Sequence, residues 1–117
     1  MPYYSESESG NLRLKIEEIV LKWPGVTKKI LFGSPAYAIG PTYFAMLVTG
    51  GVILTRLGDE EKARLLEDPG AGYFEGHGRT MKKWVHIRLL APSDLDRYLP
   101  YLKSSYDRAL DENRQAA

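Results

Sequence analysis

Two β-rich runs, Tyr43 to Val48 and Val52 to Leu57, are joined by Thr49-Gly50-Gly51. The glycine pair supplies the backbone angles that a tight reversal needs, so the two runs are predicted to pair as an antiparallel hairpin. Upstream, Ile30-Leu31-Phe32 is broken by Gly33-Ser34-Pro35 and resumes at Ala36-Tyr37-Ala38-Ile39. Pro35 cannot donate to a ladder and Gly33 allows a bulge, so Thr27 to Ile39 reads as one bent strand or two short ones. Gly40-Pro41 turns the chain into the hairpin. The middle third is therefore an antiparallel meander.

Helical stripes flank it. Leu12, Ile16, Ile19, Val20 and Trp23 fall on one helical face, with Ser9 or Asn11 as cap and Pro24-Gly25 as stop. The residues through Gly10 are small, polar and acidic and read as a frayed arm, leaving 11–117 as a single domain. Gly58 and Asp59 open a short helix to about Glu67, with Glu60 and Glu61 where the helix dipole favours negative charge, and Pro69-Gly70 ends it. Gly72-Tyr73-Phe74 reads as a short strand, Glu75 to Arg79 as a glycine-rich loop, and Trp84 to Leu89 as a strand. Ser93 with Asp96 resembles a capping box, and Leu95, Leu99, Leu102, Tyr106, Ala109 and Leu110 form a last stripe. Pro100 predicts a kink or a split within it. The order is helix, meander, helix, two strands, long helix, an α+β domain whose 117 residues, 44% hydrophobic, suffice for one core.

Sixteen Lys and Arg against fifteen Asp and Glu leave a net charge of +1, so any pull on nucleic acid or anionic lipid must come from local patches. Leu12 to Lys29 and Pro69 to Ala91 are both net positive, whereas Asp59 to Asp68 is net negative. The absence of cysteine excludes a disulfide scaffold, a thiolate metal site and a cysteine nucleophile. No window has the roughly 18 to 20 apolar residues of a membrane span. The start lacks the basic and apolar character of a signal peptide, and a cytoplasmic location is expected.

Catalytic signals are missing. His77 and His86 have no metal-ligand spacing around them, so neither a metal nor a cofactor is expected. Ser34 lies in Phe-Gly-Ser-Pro, which is not the Gly-x-Ser-x-Gly elbow of a nucleophile. Gly70, Gly72, Gly76 and Gly78 superficially suggest a phosphate loop, but no strand-to-helix step follows them. The segment His77 to Trp84 is the more suggestive: Arg79, Lys82 and Lys83 can meet phosphates on a projecting turn, aided by Lys28, Lys29 and Arg88 if the fold gathers them. Trp23 and Trp84 read as structural, and Tyr37, Tyr43, Tyr98, Tyr101 and Tyr106 as half-buried with hydroxyls at the rim.

At Pro24-Gly25-Val26, Leu31-Phe32-Gly33-Ser34-Pro35-Ala36-Tyr37 and Tyr43-Phe44-Ala45 the chain resembles the N-terminal domain of TfoX/Sxy proteins, with Leu31 in place of the usual Met. Met81 before a basic-aromatic segment matches that domain too, whereas Trp84 and Ser105-Tyr106-Asp107 look like the related MmcQ/YjbR proteins. The resemblance spans roughly Leu12 to Leu110 and implies a secretion-chaperone-like two-layer fold of order α-β(3)-α-β(2)-α. It further implies a regulatory, transcription- or competence-related role with DNA contact, and it brings no catalytic residues. The alternative expectation is a homodimeric protein-interaction module without nucleic-acid binding, its interface on the Tyr-rich final helix.

Overall fold

The structure, a computed structural model, describes residues 3–76 and 78–116. Its elements are α1 (Glu6–Val20), β1 (Val26–Leu31), β2 (Ser34–Ile39), β3 (Thr42–Val48), β4 (Gly51–Leu54), α2 (Asp59–Leu66), β5 (Ala71–Gly76), β6 (Arg79–Arg88), a 3-10 turn (Pro92–Asp94) and α3 (Leu95–Ala116). The strands form one antiparallel sheet in the order β1-β2-β3-β4-β6-β5. The fold is thus α+β, as the pattern of stripes and β-runs indicates. The stretch 27–39 resolves into two strands, so four strands rather than three precede α2. Phe32 and Gly33 both take positive φ, 54° and 79°, the pattern of a type I′ turn, which folds the chain back on itself where a bend would have continued it.

Helices cover one face of the sheet. Leu12, Ile16 and Val20 of α1 and Leu95, Leu102, Tyr106 and Ala109 of α3 pack with Tyr37, Ala45, Leu47, Val52, Leu54, Val85 and Ile87 of the strands. Between β2 and β3 the register passes from Tyr37 opposite Ala45 to Ala38 opposite Tyr43. Phe44 is the extra residue, and this bulge turns its ring to the helix side, edge-on to Tyr106 at 5.5 Å. Trp23 closes the same cluster, 4.9 Å from Tyr106. On the opposite face a second apolar group, Ala36, Met46, Val48, Ile53 and Phe74, has no helix over it.

Several local expectations change. Residues 3–10 belong to the fold: Tyr4 is buried, the Tyr3 carbonyl accepts from Thr49 N at 2.9 Å, and α1 starts at Glu6. The backbone leaves helical angles at Ser9 (φ −125°), whose hydroxyl accepts from Gly50 N at 2.8 Å. Pro100 neither ends nor splits α3, a continuous 22-residue helix. It lies near the helix start, and its missing N–H leaves only the Asp96 carbonyl without its partner in the helix. Asp94, rather than Ser93 with Asp96, caps the preceding turn by accepting from Leu90 N and Ala91 N, both at 3.0 Å. Three tyrosines lie deeper than a rim position: Tyr37, Tyr98 and Tyr106 are buried, with hydroxyls donating to Glu17, Asp68 and the Pro24 carbonyl. Since Tyr98 and Tyr106 face inward, α3 does not offer them to a partner.

Candidate functional site

The six basic residues singled out by sequence are not gathered into one patch. Adjacent strand residues point to opposite faces, and this separates Lys28 from Lys29. Lys28 lies on the helix side opposite Tyr37 and pairs with Glu17 at 2.8 Å. Glu17 also accepts from Tyr37 Oη at 2.7 Å and from Arg13 at 2.9 Å. Lys29 lies on the other face, donates to the Gly40 carbonyl at 2.9 Å and sits over the Tyr43 ring. Arg88 ends β6, exposed beside an open groove lined also by Asp68, Arg97 and Tyr98.

Arg79, Lys82 and Lys83 remain together on the β5–β6 hairpin. Its register passes from Tyr73 opposite Val85 directly to Phe74 opposite Met81. Lys82, Lys83 and Trp84 are therefore three extra residues that bow out of β6. Both lysines and Arg79 are exposed, and among the described residues none of the three forms an ion pair with a carboxylate. Lys62 of α2 adds a fourth cation by donating to the Lys82 carbonyl at 3.1 Å. The sequence did not single out Lys62, because its approach to the hairpin depends on how α2 packs.

The same bulge shapes the helix-free face. Trp84 swings beside Phe74, ring centres 5.9 Å apart, and Tyr3 meets Phe74 edge-on at 5.7 Å. A cleft of about 140 Å³ opens between Tyr3, Phe32, Met46, Phe74, Met81 and Trp84. Phe32 stands on its lip, 65% exposed. A smaller hollow of about 100 Å³ lies across Met46 and Trp84, where Thr55 already donates to the Tyr43 carbonyl and Arg56 to Glu112. Trp84 is thus half-buried and lines this cleft, while Trp23 belongs to the main core.

The remaining chemical candidates have structural surroundings. His86 lies on β6, an interior strand, between Ile53 and Gly72. It is half-buried, and its Nε2 is enclosed without a hydrogen-bond partner. A Cβ on Gly51 would come within 2.7 Å of that nitrogen, so glycine makes room for the ring. Burial, with the positive charge of Arg88 behind it, holds the imidazole below its usual pKa. The Ser34 hydroxyl is fully buried and unpartnered. The Gly70 N–H donates to Asp68 at 2.8 Å and is not open to a phosphate. His77 lies outside the described residues. Among the described residues no group of three His, Asp or Glu side chains is placed to hold a metal ion, and no helix is long and apolar enough to cross a membrane.

No family model matches the chain, and neither a curated protein nor a solved structure does.

Proposed function

We propose that the chain is a non-enzymatic cytoplasmic regulatory protein that touches the nucleic-acid backbone weakly, through phosphates, with the β5–β6 hairpin. The observation that carries this reading is the three-residue bulge, which presents Lys82 and Lys83 with Arg79 nearby and no carboxylate paired to them among the described residues. Cations that make no internal ion pair are free to displace the counterions condensed on phosphate, and that release is what drives sequence-independent binding. The cations stand on a bulged hairpin and not along one face of a helix, so the contact is to backbone and not to sequence. The resemblance of the Leu31 to Tyr37 and Tyr43-Phe44-Ala45 segments to TfoX/Sxy proteins, and of Trp84 and Ser105-Tyr106-Asp107 to MmcQ/YjbR proteins, supports a regulatory setting. A near-neutral total charge keeps the affinity low.

Each phosphate contact contributes about 0.9 to the slope of log K against log salt on duplex DNA. Replacing Arg79, Lys82 and Lys83 together by Ala is expected to flatten that slope by up to about 3 units while the thermal transition stays in place. An unchanged slope in the triple variant moves the contact elsewhere, and a parent that binds no DNA at low salt ends this reading.

Self-association is a second reading, favoured by the outer edge of β1. β1 pairs with β2 alone, and its lysines, the residues that usually guard an edge, are engaged at Glu17 and Gly40. Ile30, 66% exposed, lies on that strand. Two copies can pair β1 antiparallel across a two-fold axis. Sedimentation at high micromolar concentration is expected to give twice 13.2 kDa, and Ile30→Lys to return the monomer. A 13.2 kDa parent species under these conditions overturns it.

A further inference from the structure

A groove of about 510 Å³ opens at the end of β6 far from Arg79, lined by Arg88 and Leu90 from that strand and its exit and by Asp94, Arg97 and Tyr98 from the entry to α3. It plays no part in the hairpin reading. We propose that this groove binds a free α-amino acid with an aliphatic side chain, held as its zwitterion.

The charges that line the groove fall into two kinds. Arg97 and Asp68 satisfy each other, Nη2 donating to Oδ2 at 2.6 Å. Asp68 is in turn fixed by the Gly70 N–H at 2.8 Å and the Tyr98 hydroxyl at 3.0 Å. A Cβ at Gly70 would come within 2.9 Å of that hydroxyl, so only glycine lets the three meet. This pair gives the groove a rigid wall. Arg88 and Asp94 are different. Among the described residues Arg88 makes no ion pair and Asp94 none either. Asp94 engages Oδ2 with the N–H groups of Leu90 and Ala91, both at 3.0 Å, and Oδ1 has no partner there.

These two unpaired charges are held within reach of one ligand. Asp94 is tied to the Leu90 amide, and Leu90 follows Arg88 by two residues, at most about 7 Å of chain. They are opposite in sign and close, yet they leave a gap between them. A molecule that carries a carboxylate and an ammonium on the same carbon spans such a gap: the carboxylate accepts from the planar fork of Arg88, and the ammonium donates to Asp94 Oδ1. The sum of charge points the same way. Two arginines and two aspartates leave the lining neutral, so a lone anion sets its charge against Asp94 and a lone cation sets its charge against Arg88. A zwitterion meets neither penalty.

Leu90 supplies a separate argument for the side chain. It lines the groove and is 94% exposed, the most of any large apolar side chain among the described residues. Pro69 lies exposed on the same lining. An aliphatic side chain laid on these two removes apolar surface from water on both partners, which the charged end of the ligand alone does not. The volume of about 510 Å³ lies within the usual range for small-molecule sites.

The test uses the full chain with L-leucine as probe, followed by calorimetric titration and by the methyl resonances of Leu90. Saturable binding with shifts at those methyls is expected. 4-Methylpentanoate lacks the ammonium and 3-methylbutylamine lacks the carboxylate, and each is expected to bind about tenfold more weakly than leucine, the worth of one hydrogen bond between charged groups. Arg88→Gln, an exposed position with no internal ion pair, is expected to melt with the parent, to lose leucine about tenfold and to keep the affinity of the parent for 3-methylbutylamine. Asp94 also holds the turn before α3, so Asp94→Asn is read only against its own affinity for 4-methylpentanoate, and the difference between leucine and that acid is expected to vanish. No saturable binding up to the solubility limit of leucine overturns the proposal, as does either truncated analogue binding as tightly as leucine, or an unchanged leucine affinity in Arg88→Gln. None of these variants touches Arg79, Lys82 or Lys83, so the DNA salt slope and the leucine titration fail independently.

Discussion

At the scale of single residues, Glu17 ties α1 to the sheet. Its carboxylate holds Lys28 of β1, Tyr37 of β2 and Arg13 of its own helix. Burial pushes this carboxyl up, but hydrogen bonds from Lys28 and Tyr37 and the charges of Lys28 and Arg13 outweigh it, and the net pKa lies below the usual carboxylate range. The Tyr37 hydroxyl is pushed up, first by burial and then by its bond to Glu17, and stays protonated as a donor. Tyr37→Phe removes that donor with no change of shape and leaves the two cations in place. A loss of about 1.5 to 3 kcal/mol near neutral pH is expected, the range for a hydrogen bond to a charged group. The folded-state pKa of Glu17 is depressed, so its stabilisation is present above the unfolded carboxyl value and is lost as pH falls through the folded one. Urea midpoints near neutral pH and on the acid side of 4 are the measurement. The variant and parent are expected to converge in acid, and equal midpoints near neutral pH would show that Tyr37 contributes packing alone.

At the scale of elements, what the sequence announces is whatever local chemistry decides. The α1 stripe through Leu12, Ile16 and Val20, the Gly50-Gly51 reversal and the acidic first turn of α2 each form from neighbours in the chain, and each is present. The break expected at Pro100 follows from a rule for helix interiors, yet Pro100 stands early enough in α3 for one continuous helix to accommodate it. The hairpin at Phe32-Gly33 is hidden in the sequence because residue identity there opposes the backbone: Phe is a poor choice for positive φ, and the turn is held by the pairing of Leu31 with Ser34 and Ile30 with Pro35. The two bulges could not be read at all. A bulge is a mismatch in length between partner strands, visible only once β5 is laid against β6 or β2 against β3. The basic cluster of Arg79, Lys82 and Lys83 was therefore legible as composition and not as shape. The apolar cleft, made by the β6 bulge and a strained turn together, left no local signal beyond the residues themselves.

At the scale of the whole molecule, the sheet has one face sealed by helices and one that is apolar but open, and β6 joins the two halves by pairing with both β4 and β5. His86 sits on that joining strand, with Ile53 on one side and Gly72 on the other. Burial first, and then the charge of Arg88, depress its pKa, so the folded protein holds it neutral. The unfolded chain takes up a proton near the usual imidazole value, about 6.5. In the window between the folded value and that one, the unfolded state binds more protons, and stability rises with pH. The contribution is therefore complete above about pH 6.5 and declines as pH falls below it, before the carboxylates of Glu17 and Asp68, both held below their usual range, begin to titrate. Acid unfolding is expected in two stages. His86→Phe keeps a planar ring of similar size over Gly51 and removes the upper stage. Denaturant midpoints measured at about pH 7.5 and about pH 5.5 are expected to fall between the two for the parent and to coincide for the variant. If the parent shows no decline across that interval, or the variant declines as the parent does, the joining strand does not carry the titration and the acid sensitivity lies with the carboxylates alone.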